Sequence, residues 1–208
     1  MLQLTSAKKQ YGEYLILTIP QLELPPGIFW LKGTNGSGKS TLLKMIGGLI
    51  PFDGTIQLNS VDAKKQTTEY RRLVNYAEAE PLYPSFLNGL DLISFFSDTR
   101  KANQKATNEL IEAFGIQSFI KNSMGTYSSG MLKKLSLVLA FIGHPKLILL
   151  DEPLVTIDKE SVPILYSLVK KYSDEGVSFI FTSHQAFEAT NLSPIKELEV
   201  KNNQVCFL

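Results

Sequence analysis

The segment from Gly33 to Thr41 has the residue types and spacing of a phosphate-binding loop. It reads GTNGSGKST, fits G-x-x-x-x-G-K-[ST], and lies between an apolar run and a predicted helix. Its glycines let backbone N–H groups face an anion at a helix N-terminus. Lys39 adds a cation for the β- and γ-phosphates, and Ser40 supplies a hydroxyl oxygen for the magnesium that accompanies a nucleotide. We predict nucleotide contacts from Gly33, Asn35, Gly36, Ser37, Gly38, Lys39, Ser40 and Thr41.

Two acids follow the four apolar residues Leu147 to Leu150. An aspartate at the carboxyl end of a buried strand beside a phosphate loop can hold magnesium directly or through water, which is the role we predict for Asp151. Glu152 would direct a second carboxylate towards the γ-phosphate, where it orients and polarises the attacking water. Two acids that merely open a surface turn are the alternative, which the upstream loop disfavours.

A histidine follows the next predicted strand, 177–182. A lone histidine at a strand end is usually structural or exposed. A neutral imidazole at this edge of the sheet can also bond the γ-phosphate or the attacking water. We therefore predict a catalytic role for His184 and an ordinary loop position for His144, which precedes Pro145.

The elements that must position these residues fall into three blocks. Residues 2–31 read as strands and turns, with further short strands at 55–58 and 73–76 around the loop and its helix. A helical block runs from 84 to about 143. It contains a capping box at Asn88–Asp91 that opens a helix through Phe96, a helical spacing of apolar residues over 102–114, and a helix at 130–140.

The third block returns to alternating strands and helices. We predict a strand at 147–150 that is buried on both faces, a helix at 159–174 and a strand at 177–182. A short helix is expected from Gln185, and the tail can form a hairpin around Asn202 and Asn203. The pattern is thus an α/β core with an inserted helical lobe.

Composition limits the classes of protein to which the chain can belong. The chain has 208 residues, a net charge of +1 and 44% apolar residues, so a sizeable core can form, and the near-neutral charge argues against binding to nucleic acid. Cys206 is the only cysteine, which is compatible with a reducing compartment. The N-terminus lacks a signal-peptide h-region, and no stretch approaches the roughly 18 apolar residues of a membrane helix. We expect a soluble chain.

The segment 127–134, YSSGMLKK, resembles LSGGQ-x-x-R, the signature motif of ATP-binding cassette (ABC) ATPases. Phosphate loop, helical lobe, signature, acid pair and histidine follow one another in that family's order, and the resemblance covers essentially the whole chain. It implies an α/β fold: a P-loop NTPase core with an N-terminal antiparallel β patch and an inserted helical lobe. The expected organisation is one ABC ATPase domain, 1–208, with its core at 1–83 and 144–208 and a helical subdomain at about 84–143.

The resemblance also implies that two copies enclose ATP and Mg²⁺. In the family, the phosphate loop of one subunit holds ATP, and the signature of the facing subunit closes over the γ-phosphate in a twofold arrangement. Ser128 would offer a hydroxyl, while Ser129 and Gly130 lie where a helix N-terminus permits close backbone approach. Asp158 matches the D-loop. Tyr11 resembles the aromatic residue that stacks on adenine, although a core or surface tyrosine is the alternative.

The signature departs from the family pattern at two positions. Ser129 stands where the family has its first glycine, and Met131 stands where it has glutamine. Because serine is small, close approach to a phosphate can survive the first change.

A third departure is the absence of a glutamine after the strand that ends near Tyr76. In the family this glutamine is a magnesium ligand and senses the membrane subunit, but residues 76–83 read YAEAEPLY. Counting from Tyr76 places Ala79 at the expected position, whereas a one-residue deletion aligns Glu80. A glutamate oxygen can serve magnesium. We take Glu80 as the substitute metal ligand and Glu78 as its rival.

These features favour an ATP-hydrolysing subunit of an ABC transporter. Its dimer, homodimeric or pseudo-symmetric, would drive separate integral membrane subunits from the cytoplasm, peripheral on the inner face of the membrane. A nucleotide-gated switch with little hydrolysis is one alternative, prompted by the missing glutamine. A soluble ABC ATPase acting on ribosomes or DNA is another, but the chain lacks a second cassette and long coiled-coil insertions. A metabolite kinase would leave the signature and His184 without a role.

Overall fold

The computed structural model describes residues 1–183, 192 and 194–208. The elements in chain order are β1 (Leu2–Tyr11), β2 (Tyr14–Leu24), β3 (Ile28–Lys32), α1 (Lys39–Ile46), β4 (Asp53–Leu58), β5 (Val61–Asp62), α2 (Thr67–Leu73), β6 (Val74–Ala77), α3 (Gly89–Arg100), α4 (Gln104–Ala113), a 3₁₀ turn (Met124–Thr126), α5 (Ser129–Phe141), β7 (Leu147–Leu150), α6 (Ser161–Asp174), β8 (Ser178–Thr182), β9 (Ile195–Lys201) and β10 (Gln204–Phe207).

The strands form two sheets. An antiparallel sheet has the order β2-β1-β4-β5, and a second sheet has the order β10-β9-β3-β8-β7-β6. In the second sheet the neighbours β9, β3, β8, β7 and β6 run parallel, and β10 pairs antiparallel with β9. The carboxyl ends of β3, β7 and β8 therefore share one edge, which brings the loops after them together. The predicted α/β class and the N-terminal antiparallel patch are confirmed.

Strand β7 shows how the core is layered. Its side chains alternate between two faces. Leu147 and Leu149 pack into a cluster that contains α1 and the antiparallel sheet. Ile148 and Leu150 pack into a second cluster with α5 and α6. The strand is thus buried on both faces, as the apolar run predicted.

The helical block packs onto the core without a break in its apolar contacts. Buried residues of α3, α4 and α5 share one cluster with the strands, and α5 packs against both β6 and α3. The predicted capping box exists: the Asn88 side chain accepts from the Asp91 N–H, and the Asp91 carboxylate accepts from the Asn88 N–H. Helix α3 continues past Phe96 to Arg100, where Lys101 closes it with a left-handed φ of 50°.

Two other boundaries differ from the sequence predictions. Ala102 lies before α4, because the Asn103 side chain caps that helix by accepting from the N–H groups of two following residues. Helix α6 begins at Ser161, since a carboxylate oxygen of Asp158 accepts from the Ser161 N–H at 2.9 Å. The helix predicted from Gln185 lies outside the described residues. Within them, no helix has the length and apolar character needed to cross a membrane.

Candidate nucleotide site

The loop after β3 has the backbone shape that its glycines predict. Gly33, Gly36 and Gly38 have φ values of 148°, 76° and 107°, which L-residues with side chains rarely adopt. A Cβ at Gly33 would lie 2.6 Å from the Ser37 Oγ, and one at Gly38 would lie 3.2 Å from the Ile16 side chain. The loop is therefore tightly packed at Gly33 and Gly38 and has open space at Gly36, where a Cβ would meet nothing within 4 Å.

The Lys39 ammonium group lies inside this loop. It donates to the carbonyl oxygens of Gly33 at 2.8 Å and Thr34 at 3.1 Å. These neutral partners hold the cation over the loop without neutralising it. An anion that enters the loop thus meets a positioned positive charge.

An open cleft joins the loop to Glu152, the second residue of the acid pair. Its lining comprises Ile16, Asn35, Gly36, Gly38, Lys39, Ser40, Thr41 and Glu152. The structure therefore brings six of the predicted nucleotide-contacting residues together with the predicted catalytic glutamate. The loop's Gly33 and Ser37 lie behind this lining rather than on it. Ile16, which contributes an apolar wall, comes from β2 and has no motif that could identify it.

Asp151 is buried behind the cleft, with 2% of its surface exposed, and is fixed by two hydroxyl groups. Thr182 donates to Oδ1 at 2.7 Å, and Tyr76 donates to Oδ2 at 3.1 Å. Burial, followed by the nearby charges of Asp151 and Glu78, raises the pKa of Tyr76, so its phenol stays a donor. The carboxylate is thus held in one orientation by strands on both sides of β7.

Glu152 is held by the same threonine. Its backbone N–H donates to the Thr182 Oγ1 at 2.8 Å. The residue has a left-handed φ of 44°, a conformation that costs about 1–2 kcal/mol for a residue with a side chain. Thr182 therefore links both acids: it orients the carboxylate of one and supports the strained backbone of the other.

A buried lysine from α5 meets the ends of two neighbouring strands. The Lys133 ammonium group donates to the carbonyl oxygens of Glu78 at 2.6 Å, Ala79 at 3.2 Å and Asp151 at 2.8 Å. Burial lowers the pKa of Lys133 to about 8, against the opposing effect of Asp151, Glu152 and Glu78. Positive charge is thus placed beneath the acid pair.

The rival replacements for the missing glutamine lie in different environments. Glu78 is half-buried, and its charge acts on the pKa values of both Tyr76 and Lys133, which contact Asp151. Glu80 is exposed. The surroundings of Glu78 thus favour it over Glu80 as the carboxylate near the acid pair.

The predicted signature residues form the start of α5. The Ser128 hydroxyl accepts from the Met131 N–H at 3.2 Å, and the Ser128 N–H donates to the Met131 sulfur at 3.4 Å, so methionine completes a capping box. Gly130 lies so close to the loop between β7 and α6 that a Cβ would be 2.8 Å from the Thr156 carbonyl oxygen. Neither Ser128 nor its neighbours Ser129 and Gly130 line the cleft of the same chain.

The D-loop candidate is tied to the signature helix. Lys134 forms an ion pair with Asp158, and this contact, with the hydrogen bonds from Ser161, holds the pKa of the Asp158 carboxyl below its usual value. Tyr11 lies at the end of β1 with 51% of its surface exposed, and the Lys9 ammonium lies 4.5 Å from its ring centroid. His184 lies outside the described residues.

The donor set fits a magnesium–nucleotide complex. Glycines shape an anion-binding loop, Lys39 lies within it, and the exposed Ser40 hydroxyl lines the same cleft as Glu152. The described residues contain no cluster of three or more His, Cys, Asp or Glu side chains that could hold a metal alone. Magnesium is usually held by one or two carboxylates together with waters and substrate phosphates, and Ser40 and Asp151 are the predicted oxygen ligands here.

Sequence patterns missed the residues that support this site from a distance. Thr182, Tyr76, Lys133 and Ile16 each approach the loop or the acids from another element. The only sequence signal was the position of Thr182 and Tyr76 at or near the ends of predicted strands. Which strands are neighbours decides the contacts, and that information is not local.

Comparisons with known proteins agree with this geometry. The family model described as ABC transporter matches residues 19–155, more than half of the chain. The linearmycin resistance ATP-binding protein of Bacillus subtilis (strain 168) is 32% identical over 190 residues, which are 88% of this chain and 61% of that protein. The chain thus spans less than two thirds of this relative.

Solved structures share the fold at low sequence identity. A structure of the ATP-binding subunit of an ABC transporter has a TM-score of 0.88 and 21% identity, covering 100% of this chain and 90% of the other. A dimeric ATP-binding cassette in a post-hydrolysis state bound to ADP and Pi has a TM-score of 0.80 and 19% identity, covering 99% and 96%. The predicted ABC ATPase fold is therefore confirmed.

Proposed function

Since this chain belongs to the ABC transporter family, we propose that it is an ATP-binding and ATP-hydrolysing subunit that dimerises around ATP and Mg²⁺ to drive transport through separate membrane subunits. One observation carries the proposal: the phosphate loop and Glu152 line one cleft, with Asp151 fixed directly behind it. That arrangement supports the proposal that the anion-binding loop and the candidate general base act on the same substrate.

The proposed reaction is the transfer of the γ-phosphoryl group of ATP to water. Glu152 accepts a proton from the water as its oxygen bonds to phosphorus, and the bond to the departing ADP oxygen breaks. Lys39 and the loop N–H groups bind the phosphates and offset their charge. Ser40 and Asp151 would hold magnesium, which neutralises charge that develops on the phosphates. Glu78 is the preferred candidate for a further oxygen ligand, because its charge acts on the pKa values of Tyr76 and Lys133 beside Asp151, and the predicted Glu80 remains the alternative.

Dimerisation is proposed because the cleft of one chain lacks its predicted signature residues. Ser128, Ser129 and Gly130 begin α5 away from the lining of the cleft. A second copy in twofold symmetry would supply them to the γ-phosphate, with Asp158 beside the contact. The solved cassette that is dimeric and bound to ADP and Pi has a similar fold, which supports this arrangement. Tyr11, half-exposed, remains the proposed adenine-stacking residue, and His184 remains a predicted phosphate contact.

The proposed partners are integral membrane subunits, with the chain cytoplasmic and peripheral on the inner face of the membrane. Residues 82–95, which span the start of the helical block and the first turns of α3, carry four exposed large apolar side chains: Leu82, Phe86, Leu90 and Phe95. These follow the segment from which the family glutamine is missing. The proposed helical subdomain, about 84–143, would present this surface to the membrane subunits. Resistance to linearmycin belongs to the relative of that name, and it supports an antimicrobial compound as one cargo class here.

Glu152→Gln tests the proposed function. The amide keeps the size of the side chain and removes the proton acceptor, so turnover should fall by about 100-fold or more while ATP still binds. An ATP-bound dimer should accumulate, which size-exclusion chromatography with light scattering would detect. Phosphate release and equilibrium ATP binding are measured on the same preparation.

Glu160→Gln is the matched control, because Glu160 is exposed and lies at the start of α6 away from the cleft lining. It should leave turnover unchanged. A Glu152→Gln protein that hydrolyses ATP at the wild-type rate contradicts the proposed base. A wild-type protein that binds ATP and dimerises without releasing phosphate, alone and with its detergent-solubilised membrane partner, supports the switch alternative instead.

A further inference from the structure

We propose that Lys133 is a positioning residue that joins the signature helix to the ends of the two strands that carry the acidic residues. Its ammonium group has three N–H donors and contacts three backbone carbonyl oxygens, those of Glu78, Ala79 and Asp151. The inference rests on the proposed function. It assigns to Lys133 the task of keeping the start of α5, the segment after β6 and the acid pair in one fixed relation.

Burial of the Lys133 ammonium group costs free energy that its contacts must offset. The residue is fully buried, and among the described contacts its ammonium group forms no ion pair within 4 Å. Charges buried without a paired carboxylate cost several kcal/mol unless polar groups replace water. Here each N–H donates to a carbonyl oxygen one or two residues after the carboxyl end of β6 or β7. The cost is offset only while those segments stay in place.

The three contacts cross the boundary between the helical block and the core. Glu78 and Ala79 follow β6 and lead into the helical block, whereas Asp151 follows β7 and precedes the proposed base. Lys133 itself lies one turn beyond Ser128 on α5. A shift of the 78–79 segment is therefore transmitted to the backbone of Asp151 and to α5 through one ammonium group.

This link connects two ATP sites in the proposed dimer. The acid pair acts on the nucleotide of its own chain, while Ser128 and Gly130 act on the nucleotide of the facing chain. Helix α5 carries both the signature and Lys133. The position of the acids in a chain's own ATP site therefore depends on the position of the signature that the same chain contributes to the ATP site of the facing chain. Lys133 thus provides a direct physical route for coupling between the sites.

Lys133→Met in the full chain tests the inference. The thioether fills similar space without donors, so the three carbonyl oxygens lose their partner and the acid pair shifts. A displacement of about 1 Å can cost about 100-fold in rate, so kcat should fall by about 100-fold while ATP binding changes less than about 3-fold. Lys133→Arg, which keeps N–H donors, should retain at least about ten times more activity than Lys133→Met. Lys170→Met removes an exposed lysine paired with Asp174 on α6 and should change neither quantity.

A second readout tests the link to the signature. In the Glu152→Gln background, adding Lys133→Met should raise the ATP concentration needed for half-maximal dimer by about 10-fold, because the start of α5 is no longer held. An unchanged ATP titration overturns the link to the signature. Wild-type kcat in folded Lys133→Met, or equal losses in the Met and Arg variants, overturns the positioning role.

The fold of each variant is monitored by circular dichroism and thermal unfolding. If Lys133→Met does not fold, Lys133→Gln replaces it with the same criteria at low temperature, because its amide has only two N–H donors for the three carbonyl oxygens. A loss of kcat and ATP binding in equal proportion to the unfolded fraction also overturns the inference. A wild-type protein without ATPase activity refutes the proposed function itself. An active wild type whose Lys133 variants have unchanged activity refutes only the inference about Lys133.

Discussion

Replacing Thr182 by valine should disturb both acids of the site through the loss of one hydroxyl group. Thr182 is fully buried, donates to the Asp151 Oδ1 at 2.7 Å and accepts from the Glu152 N–H at 2.8 Å. Valine has nearly the same shape but can do neither. The perturbation therefore removes two hydrogen bonds while leaving the packing of β8 almost unchanged.

The expected loss of stability follows from those two contacts. A hydrogen bond to a charged group contributes about 1.5–3 kcal/mol, and a buried N–H deprived of its acceptor costs about 1–3 kcal/mol. The additional buried methyl group offsets about 0.8 kcal/mol. Because Tyr76 still donates to the second oxygen of Asp151, we expect the free energy of unfolding to fall by about 2–4 kcal/mol.

Urea unfolding followed by circular dichroism measures this change, and phosphate release measures its effect on turnover. Glu152 is strained at φ 44°, so the loss of the Thr182 acceptor should let it move and lower kcat by about 100-fold, with ATP affinity nearly unchanged. Thr182→Ser keeps the hydroxyl and should lose only about 1 kcal/mol. Thr107→Val removes a buried threonine hydroxyl in α4 and should leave kcat unchanged. Equal stability and kcat for the valine and serine variants of Thr182 would refute the reasoning.

Two further predictions concern the signature helix and alkaline stability. Gly130→Ala places a Cβ 2.8 Å from the Thr156 carbonyl oxygen; overpacking of about 2 kcal/mol should exceed the helix-propensity gain of about 1 kcal/mol, and thermal unfolding should show a net loss. Burial raises the pKa of Tyr70 above its unfolded value near 10, and its hydroxyl donates to the Ile46 carbonyl oxygen at 2.7 Å. The contribution of Tyr70 to the free energy of unfolding is fully present below pH 10 and falls by about 1.4 kcal/mol per pH unit above it. Tyr70→Phe should reduce that slope in urea unfolding between pH 9 and 11, and an unchanged slope would contradict the assignment.

Local patterns predicted the features of the fold that local residues determine. The glycine spacing gave the shape of the phosphate loop, and the apolar run gave β7 with its boundaries at Leu147 and Leu150. Asn88 and Asp91 gave the start of α3, and Asn202 and Asn203 gave the β9–β10 turn through their left-handed φ values of 49° and 62°. In each case the chemistry that fixes the structure lies within a few residues.

The support of the acids could not be predicted in this way. Tyr76 and Thr182 reach Asp151 across separations of 75 and 31 residues, because β6 and β8 lie on either side of β7. Nothing in the types of these residues distinguishes them from ordinary strand residues. Only the strand order makes them neighbours, and the order depends on how the whole sheet assembles.

The missing glutamine also shows that contacts between distant segments cannot be read from residue types. A sequence comparison treats Ala79 as a loss, because alanine has no side chain that can bind a metal or sense a partner. In the fold, Ala79 contacts Lys133 through its backbone carbonyl oxygen at 3.2 Å, and Glu78 does so at 2.6 Å. A backbone acceptor is present whatever the side chain, so this segment stays joined to Asp151 and α5 without a glutamine. We therefore place the link between the helical block and the acids on Lys133, whose ammonium group joins residues 78–79 to Asp151 through backbone oxygens alone.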